Sequence, residues 1–355
     1  MKKINVGIFF GGRSLEHEIS LISAKNIIDS IDKNKYNIIP VGINKNGEFF
    51  FYKTKNYILN SDNAKKVHLN KNGIPVTFSF NKNREIIGVF DKGLRIKIDV
   101  AFPVLHGSFG EDGTIQGLFE MAGIPYVGTG VLGSAIGMNK DVAKKLLENS
   151  GIKTAKFLVF NASEKKQIKF SYIISKLGCP FFIKPTNSGS SVGVYKIKTK
   201  NDFDKRINEI FKLCDRIMCE EMIMGREIEC SVLGGDNPIA SLSGEVIPSY
   251  EFYSYEAKYL DENGAKLKTP ANLSRKVVHK IQKTAIKIFK LLKCRGMARV
   301  DGFIKKNGDY IFSEVNTIPG FTKISMYPKL WEISKIPQTK LIDELIQIAL
   351  DNRRA

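Results

Sequence analysis

Cysteine is scarce in this chain of 355 residues: there are five, scattered, with no CxxC or Cys/His ligand spacing. That excludes a disulfide scaffold and a zinc ribbon, and predicts small buried hydrophobes in a reducing, cytoplasmic setting. Long hydrophobic runs are missing too. No stretch approaches the roughly 20 apolar residues that cross a bilayer, so no membrane partner is expected. The run in MKKINVGIFFGG is short, ends at Gly11-Gly12 and lacks a small-residue cleavage site, and therefore reads as a buried first strand rather than a secretion signal. Acidic residues are under-represented, 36 against 55 Lys+Arg, giving a net charge of +19. Such an excess would suit nucleic acid, but the lysines are spread among Asn and Ile, as in KNKYNII, and no basic stretch is interleaved with aromatics. No nucleic-acid partner is expected, and anionic small substrates are the better reason for local positive charge. Internal repeats and low-complexity segments are absent.

What is present is a chain of 43% hydrophobic content, long enough for two or three globular units. Ile4–Phe10 reads as a strand, residues 11–14 as a tight turn and Ile19–Ile31 as a helix with apolar positions at helical spacing. From about residue 42 to 97 the pattern changes to short β segments (GEFFFYK, IPVTFSF, LRIKIDV) separated by Asn/Gly turns, an inserted or edge layer. The Gly/Pro-rich AGIPYVGTGVLG marks a boundary. The expected parts are an N-terminal α/β domain over 1–130, a central α+β unit over 131–219 that opens with a helix from Asn139 to Asn149, and a C-terminal part over 220–355. In the last, Ser274 is the expected N-cap of a helix whose Val277, Val278, Ile281, Ala285, Ile288 and Leu292 form a buried stripe.

Three stretches carry chemistry. TNSGSSVG follows the strand-like FFIKP and lacks the GxxxxGK[ST] order and the helix of a Walker loop, yet its small residues would let backbone N–H groups and hydroxyls close over phosphate oxygens. Alone, it could equally be a solvated hairpin tip. RVDGF and FSEVN alternate as strands on either side of an Asn-Gly turn, which puts Arg299 with Asp301 on one face and Glu314 with Asn316 on a neighbouring face. Hard oxygen ligands without His or Cys favour Mg²⁺ shared with nucleotide phosphates, with a salt-bridged sheet face as the alternative. HGSFGEDGTIQG holds a histidine and two acids among glycines that let the backbone turn sharply beside a ligand. Glu111 and Asp112 are expected to cap the following helix.

FFIKP, SGSSVG, the strand ending in an acid pair in MCEEMIMGREIE, RVDGF and EVNTIPG stand in the order seen in the ATP-grasp ligases. With GGRSLEHEIS, HGSFGEDG and YSYEAKY added, the chain resembles the D-alanine–D-alanine ligase family nearly end to end, with about 42–97 the least informative stretch. The resemblance implies an α/β chain, α+β in parts: an N-terminal parallel-sheet domain followed by a two-part ATP-grasp fold. It implies ATP and two Mg²⁺ (or Mn²⁺), a cytoplasmic homodimer, and ligation of two D-alanines through an acyl phosphate for peptidoglycan precursors. On this pattern Lys140, Lys184 and Ser191 serve the phosphates, Glu220, Glu221 and Ile223 the adenine pocket, Glu227 the ribose and Lys258 the γ-phosphate. Asp301, Glu314 and Asn316 hold metal. Glu16 takes the first D-alanine's ammonium, Tyr259 hydrogen-bonds to Ser190 and Glu16 across the closed site, His106 lies near the first substrate's carboxylate, and Ser325 binds the carboxylate of the second. Arg299 and the Gly320 N–H face the oxyanion. Glu221 departs from the basic residue frequent there. A D-alanine–D-lactate or D-alanine–D-serine ligase is the alternative within the superfamily, and a nucleotide-binding scaffold that has lost catalysis is the alternative outside it.

Overall fold

A computed structural model describes residues 3–54, 56–189, 193–249 and 264–351. At its N-terminal end, strand β1 (Ile4–Gly11) runs parallel to both β2 (Tyr36–Ile43) and a later strand, and its residues from Val6 on are buried on both faces. Such a strand reads as a continuous apolar run because helices cover both sides of a parallel sheet. One cover is helix α1 (His17–Ser30), which begins two residues before the expected start.

The segment expected as an edge layer extends this same sheet antiparallel. Strands β3 (Phe49–Phe51), β6 (Ile74–Ser79), β7 (Glu85–Gly88) and β8 (Arg95–Lys97) add outward from β2, while β4 (Ile58–Leu59) and β5 (His68–Leu69) pair separately. Strand β9 (Val100–Val104) closes the order β8-β7-β6-β3-β2-β1-β9 and delivers the chain to His106. Helix α2 (Thr114–Met121) follows, and its Phe119 packs with Phe9 and Phe78 on one sheet face.

Helices α3 (Val131–Met138) and α4 (Lys140–Asn149) lead to a four-stranded sheet of β10 (Phe157–Asn161), β11 (Phe181–Pro185), β12 (Tyr195–Ile197) and β13 (Arg216–Glu221), in the order β10-β13-β11-β12. Asn139 caps α4 by accepting from the Val142 N–H. Helices α5 (Phe170–Leu177) and α6 (Lys200–Ile210) close this sheet's core through Ile173, Phe203 and Ile207. The hairpin β11–β12 carries the Ser/Gly loop between its strands.

A five-stranded sheet completes the architecture, with β14 (Arg226–Gly234), β15 (Ile239–Pro248), β16 (Ala265–Lys268), β17 (Gly296–Ile304) and β18 (Tyr310–Asn316) ordered β16-β15-β14-β17-β18. Residues 265–268 form a strand on β15; residues 250–263 lie outside the described ones. Helix α7 (Arg275–Leu291) starts at Ser274, whose hydroxyl accepts from Val277 N–H, and buries Ile281, Ala285, Ile288 and Phe289 against β14 and β17. Its outer Val277 and Val278 are half-buried.

Helices α8 (Met326–Ile333) and α9 (Gln338–Asp351) cross back to the first sheet. Leu341, Ile342, Leu345 and Ile346 of α9 share one core with Val6, Ile8 and Phe10 of β1 and with Leu21, Ala24 and Ile27 of α1. A polar clasp marks the same contact: Asp343 accepts from the Tyr36 hydroxyl at 2.6 Å and from Lys35 at 3.0 Å.

Candidate active site

The conformation at the mouth of α1 begins the site. Glu16 is the N-cap residue of α1 but makes no side-chain cap, and its carboxylate is buried beside the loop after β9. Gly107 there has φ +71, and a Cβ on it would stand 2.7 Å from Glu16 Oε2; one on Gly189, in the Ser/Gly loop, would stand 3.6 Å from the same oxygen. At Gly107 a side chain would collide with that carboxylate, whereas at Gly189 it would only come into ordinary contact. One residue earlier, Ser188 O accepts from Lys140 Nζ at 2.6 Å. Two consecutive loop residues therefore touch a lysine on one side and Glu16 on the other.

Glu111 does something other than the sequence suggested, and it shares its partner segment with His106. The His106 ring is buried, with Nδ1 2.9 Å from Ile318 O and Nε2 3.2 Å from Ser23 Oγ, and burial lowers its pKa. A carbonyl only accepts, so Nδ1 carries the proton and Nε2 accepts from Ser23. Glu111 caps no helix: one oxygen accepts from Gly107 N–H at 2.9 Å, the other from Ile318 N–H at 3.1 Å. Desolvation, and then the charge of Glu16, push its pKa up to about 7. Asp112 does meet the helix, accepting from Thr114 N–H at 3.0 Å.

Strands β17 and β18 align Arg299 with Asn316 and Asp301 with Glu314, which brings together the four residues picked from alternation. Arg299 lies across Asp301 in a bidentate pair and also reaches Glu229 at 3.0 Å, a buried carboxylate that the sequence reading missed. Asn316 Nδ2 donates to Asp301 at 2.8 Å. Among the described residues no group of three or more His, Cys, Asp or Glu is poised for a metal; the candidate set is two carboxylates and an amide. Beside them Gly320 and Ser325 are neighbours, since a Cβ on Gly320 would stand 2.9 Å from Ser325 Oγ. Ser325 Oγ accepts from Thr322 N–H.

Between the second and third sheets lies a group of buried lysines. Lys184 of β11 and Lys144 of α4 hold the two oxygens of Glu220 at 2.7 and 2.5 Å, and Lys140 is 3.6 Å from Glu314. Burial raises the Glu220 pKa, but the two ammoniums outweigh it and hold it down at about 2. Lys144 is fully buried and was also missed; its signal was a lysine on the same helix face as Ala143 and Leu147. Three cations against these two carboxylates leave a local excess of positive charge. Glu221 turns away, accepting from the Lys156 N–H, while Ile223 and Glu227 are half-buried at the end of β13 and the start of β14. Ser190, Ser191, Lys258 and Tyr259 lie outside the described residues.

Comparison with known proteins gives this geometry a family. The D-ala D-ala ligase N-terminus family matches residues 5–129, and the D-ala D-ala ligase C-terminus family matches 146–347. A curated relative, D-alanine–D-alanine ligase of Shouchella clausii, is 48% identical over 99% of this chain and 96% of its own length. Among solved structures, VanG D-Ala:D-Ser ligase from Enterococcus faecalis superposes with a TM-score of 0.86 at 36% identity, covering 98% of this chain and 100% of that one. The D-alanine–D-alanine ligase from Bacillus anthracis complexed with ATP gives 0.74 at 30% identity, covering 100% and 99%. With both halves of the site on one chain and the likeness running its full length, the protein belongs to the D-alanine–D-alanine ligase family, with the ATP-grasp fold.

Proposed function

We propose that the chain joins two D-alanines into D-alanyl-D-alanine for peptidoglycan precursors, using ATP and releasing ADP and phosphate. The observation that carries this reading is the pair Ser188–Gly189: one residue is held by Lys140, a phosphate lysine in this reading, and the next lies against Glu16. A carboxylic acid whose ammonium sits on Glu16 is thereby presented beside the nucleotide's phosphates, the proximity that phosphoryl transfer needs.

Lys140 and Lys184 bind the phosphates in this reading, with Ser191 and Lys258 closing from the loops. Glu220, Glu221 and Ile223 line the adenine side and Glu227 takes the ribose; the Glu221 carboxylate, turned toward Lys156, contributes by its main chain. Asp301, Glu314 and Asn316 fit two Mg²⁺ or Mn²⁺ by their hard oxygens once the Asn316 amide turns its oxygen inward, and such ions neutralise charge on the transferring phosphoryl group. The first D-alanine's carboxylate attacks the γ-phosphorus, and its acyl phosphate survives only if water is excluded, the role assigned to the Ser/Gly loop with Ser190 and to Tyr259. The second D-alanine, its carboxylate on Ser325, then attacks the acyl carbon through its amine. The resulting oxyanion is met by Arg299 and the Gly320 N–H, and phosphate leaves. His106 acts one step removed from substrate, because both ring nitrogens are engaged within the protein.

Tyr259 also favours an amine as second substrate, since a phenol with a reference pKa of about 10 is neutral near pH 7 and does not repel an incoming ammonium. The division into parts 1–130, 131–219 and 220–355, with substrate on the first and nucleotide between the others, belongs to the same proposal. So does a cytoplasmic homodimer. All five cysteines are free, no helix among the described residues is long and apolar enough to cross a membrane, and Met121 and Leu132 expose apolar surface on α2 and α3. The test is incubation with ATP, Mg²⁺ and a panel of D- and L-alanine, D-serine and D-lactate, following ADP release and identifying products by mass spectrometry. D-alanyl-D-alanine is the expected main product; equal turnover with L-alanine, or a dominant ester, overturns the reading.

A further inference from the structure

Two residues of α1 that take no part in the mechanism above converge on the segment that carries Gly320. Ser23 is fully buried and accepts from the Phe321 N–H at 3.2 Å while donating to His106 Nε2. One turn on, Asn26 Nδ2 donates to Phe321 O at 2.6 Å. The other flank of the segment is gripped in the same manner, His106 Nδ1 donating to Ile318 O and Glu111 accepting from Ile318 N–H. The N–H and C=O of both Ile318 and Phe321 are thus held by side chains of the N-terminal part, and only Pro319 and Gly320 stand between them. Pro319 has a fixed φ and no N–H, so the one amide left to point elsewhere is that of Gly320.

We propose that Ser23 and Asn26 are positioning residues that aim the Gly320 N–H, so that the helix following Glu16 also sets the oxyanion donor of the second step. The inference rests on the reading of Gly320 as that donor. A side-chain network that grips both flanks of a segment holds a backbone group within the few tenths of an ångström that such a donor needs. The consequence concerns the fate of the acyl phosphate. A displaced Gly320 N–H slows the step in which the amine's lone pair forms the C–N bond and the carbonyl electrons move to oxygen. Formation of the acyl phosphate, which uses other residues, proceeds. Water then attacks the waiting intermediate and returns D-alanine and phosphate.

The experiment measures ADP and dipeptide together in the full-length enzyme for Ser23→Ala and Asn26→Asp, the second exchanging a donor for an acceptor opposite Phe321 O. The expected result is an ADP-to-dipeptide ratio raised about five-fold, the scale of one lost hydrogen bond, with the ATP KM unchanged. Ser23→Ala tests a buried position and Asn26→Asp a half-buried one, so loss of fold in the first, read by circular dichroism, leaves the second to decide. A ratio that stays at the wild-type value in the folded variants overturns the proposal. Arg299→Lys separates the two levels: if it raises the ratio while the α1 variants do not, the oxyanion reading stands and the positioning role fails; if none of the three raises it, both fail.

Discussion

Arg299 lays its guanidinium across the carboxylate of Asp301, two residues along the same strand, with Nε 2.8 Å from Oδ1 and Nη2 2.7 Å from Oδ2. One residue reads as an oxyanion donor and the other as a metal ligand, so each holds the partner's charge in place. Arg299→Met would leave Asp301 and Glu229 buried without their cation. We expect a stability loss of about 3 kcal/mol by denaturant unfolding, and a fall in dipeptide formation on the order of 10² to 10³. Arg299→Lys, which keeps charge but not the fork, should recover much of the stability and little of the activity. Equal recovery of both would show that the fork is only structural.

Lys144 should matter for nucleotide binding without touching nucleotide. It occupies one oxygen of Glu220 and so limits that carboxylate's hold on Lys184. Lys144→Met is expected to raise the ATP KM about tenfold, equivalent to roughly 1.4 kcal/mol, with the D-alanine KM unchanged. The double variant Lys144→Met/Glu220→Gln should regain part of the loss by releasing Lys184. Steady-state kinetics in ATP decides the matter, and a double variant worse than the single one would count against it.

Glu111 gives a pH signature. Its pKa, near 4.5 for an ordinary glutamate, is about 7 here, so the folded protein binds a proton that the unfolded chain has already lost. Its protonated form therefore contributes stability that is fully present below about pH 4.5 and declines as pH rises toward 7 and just beyond. Glu111→Gln does not titrate. The wild-type Tm should fall more than that of Glu111→Gln between pH 5 and 8, and scanning calorimetry at several pH values measures the difference. Parallel curves would contradict the assignment.

Gly320→Ala tests the second substrate's position. The added methyl would stand 2.9 Å from Ser325 Oγ, closer than real Cβ contacts come. The hydroxyl must move, and we expect the KM for the second D-alanine to rise about tenfold or more, with ATP affinity unchanged. Isothermal titration with ADP and initial rates against D-alanine separate the two effects.

Period and order made part of this legible from sequence alone. Strands β17 and β18 were readable because alternation and an Asn-Gly turn fix which side chains share a face, and α7 because its stripe and cap agree. Strand β14 alternates too, as REIECSV, but both its faces are buried, so the pattern could not say that Glu229 and Ser231 lie inside rather than in solvent. Helices α8 and α9 also went unmarked. The misread residues share a cause. Glu111 looked like a cap because acids before a helix usually are, yet its partner is Ile318, 207 positions away. Lys144, Ser23 and Glu229 are polar groups on buried faces, and which partner justifies such burial is a long-range fact that no local pattern encodes.

The shared core of α9 and the first sheet bears on the order of events during synthesis. Leu341, Ile342, Leu345 and Ile346 leave the ribosome more than two hundred residues after β9 has been made. Until then Val6, Ile8 and Phe10 present their apolar face with only α1 and the segment of Tyr52, Tyr57, Ile58 and Val67 to cover it. The first sheet to be translated is therefore among the last to be finished, and the nascent chain carries an uncovered surface of the kind that holdase chaperones recognise.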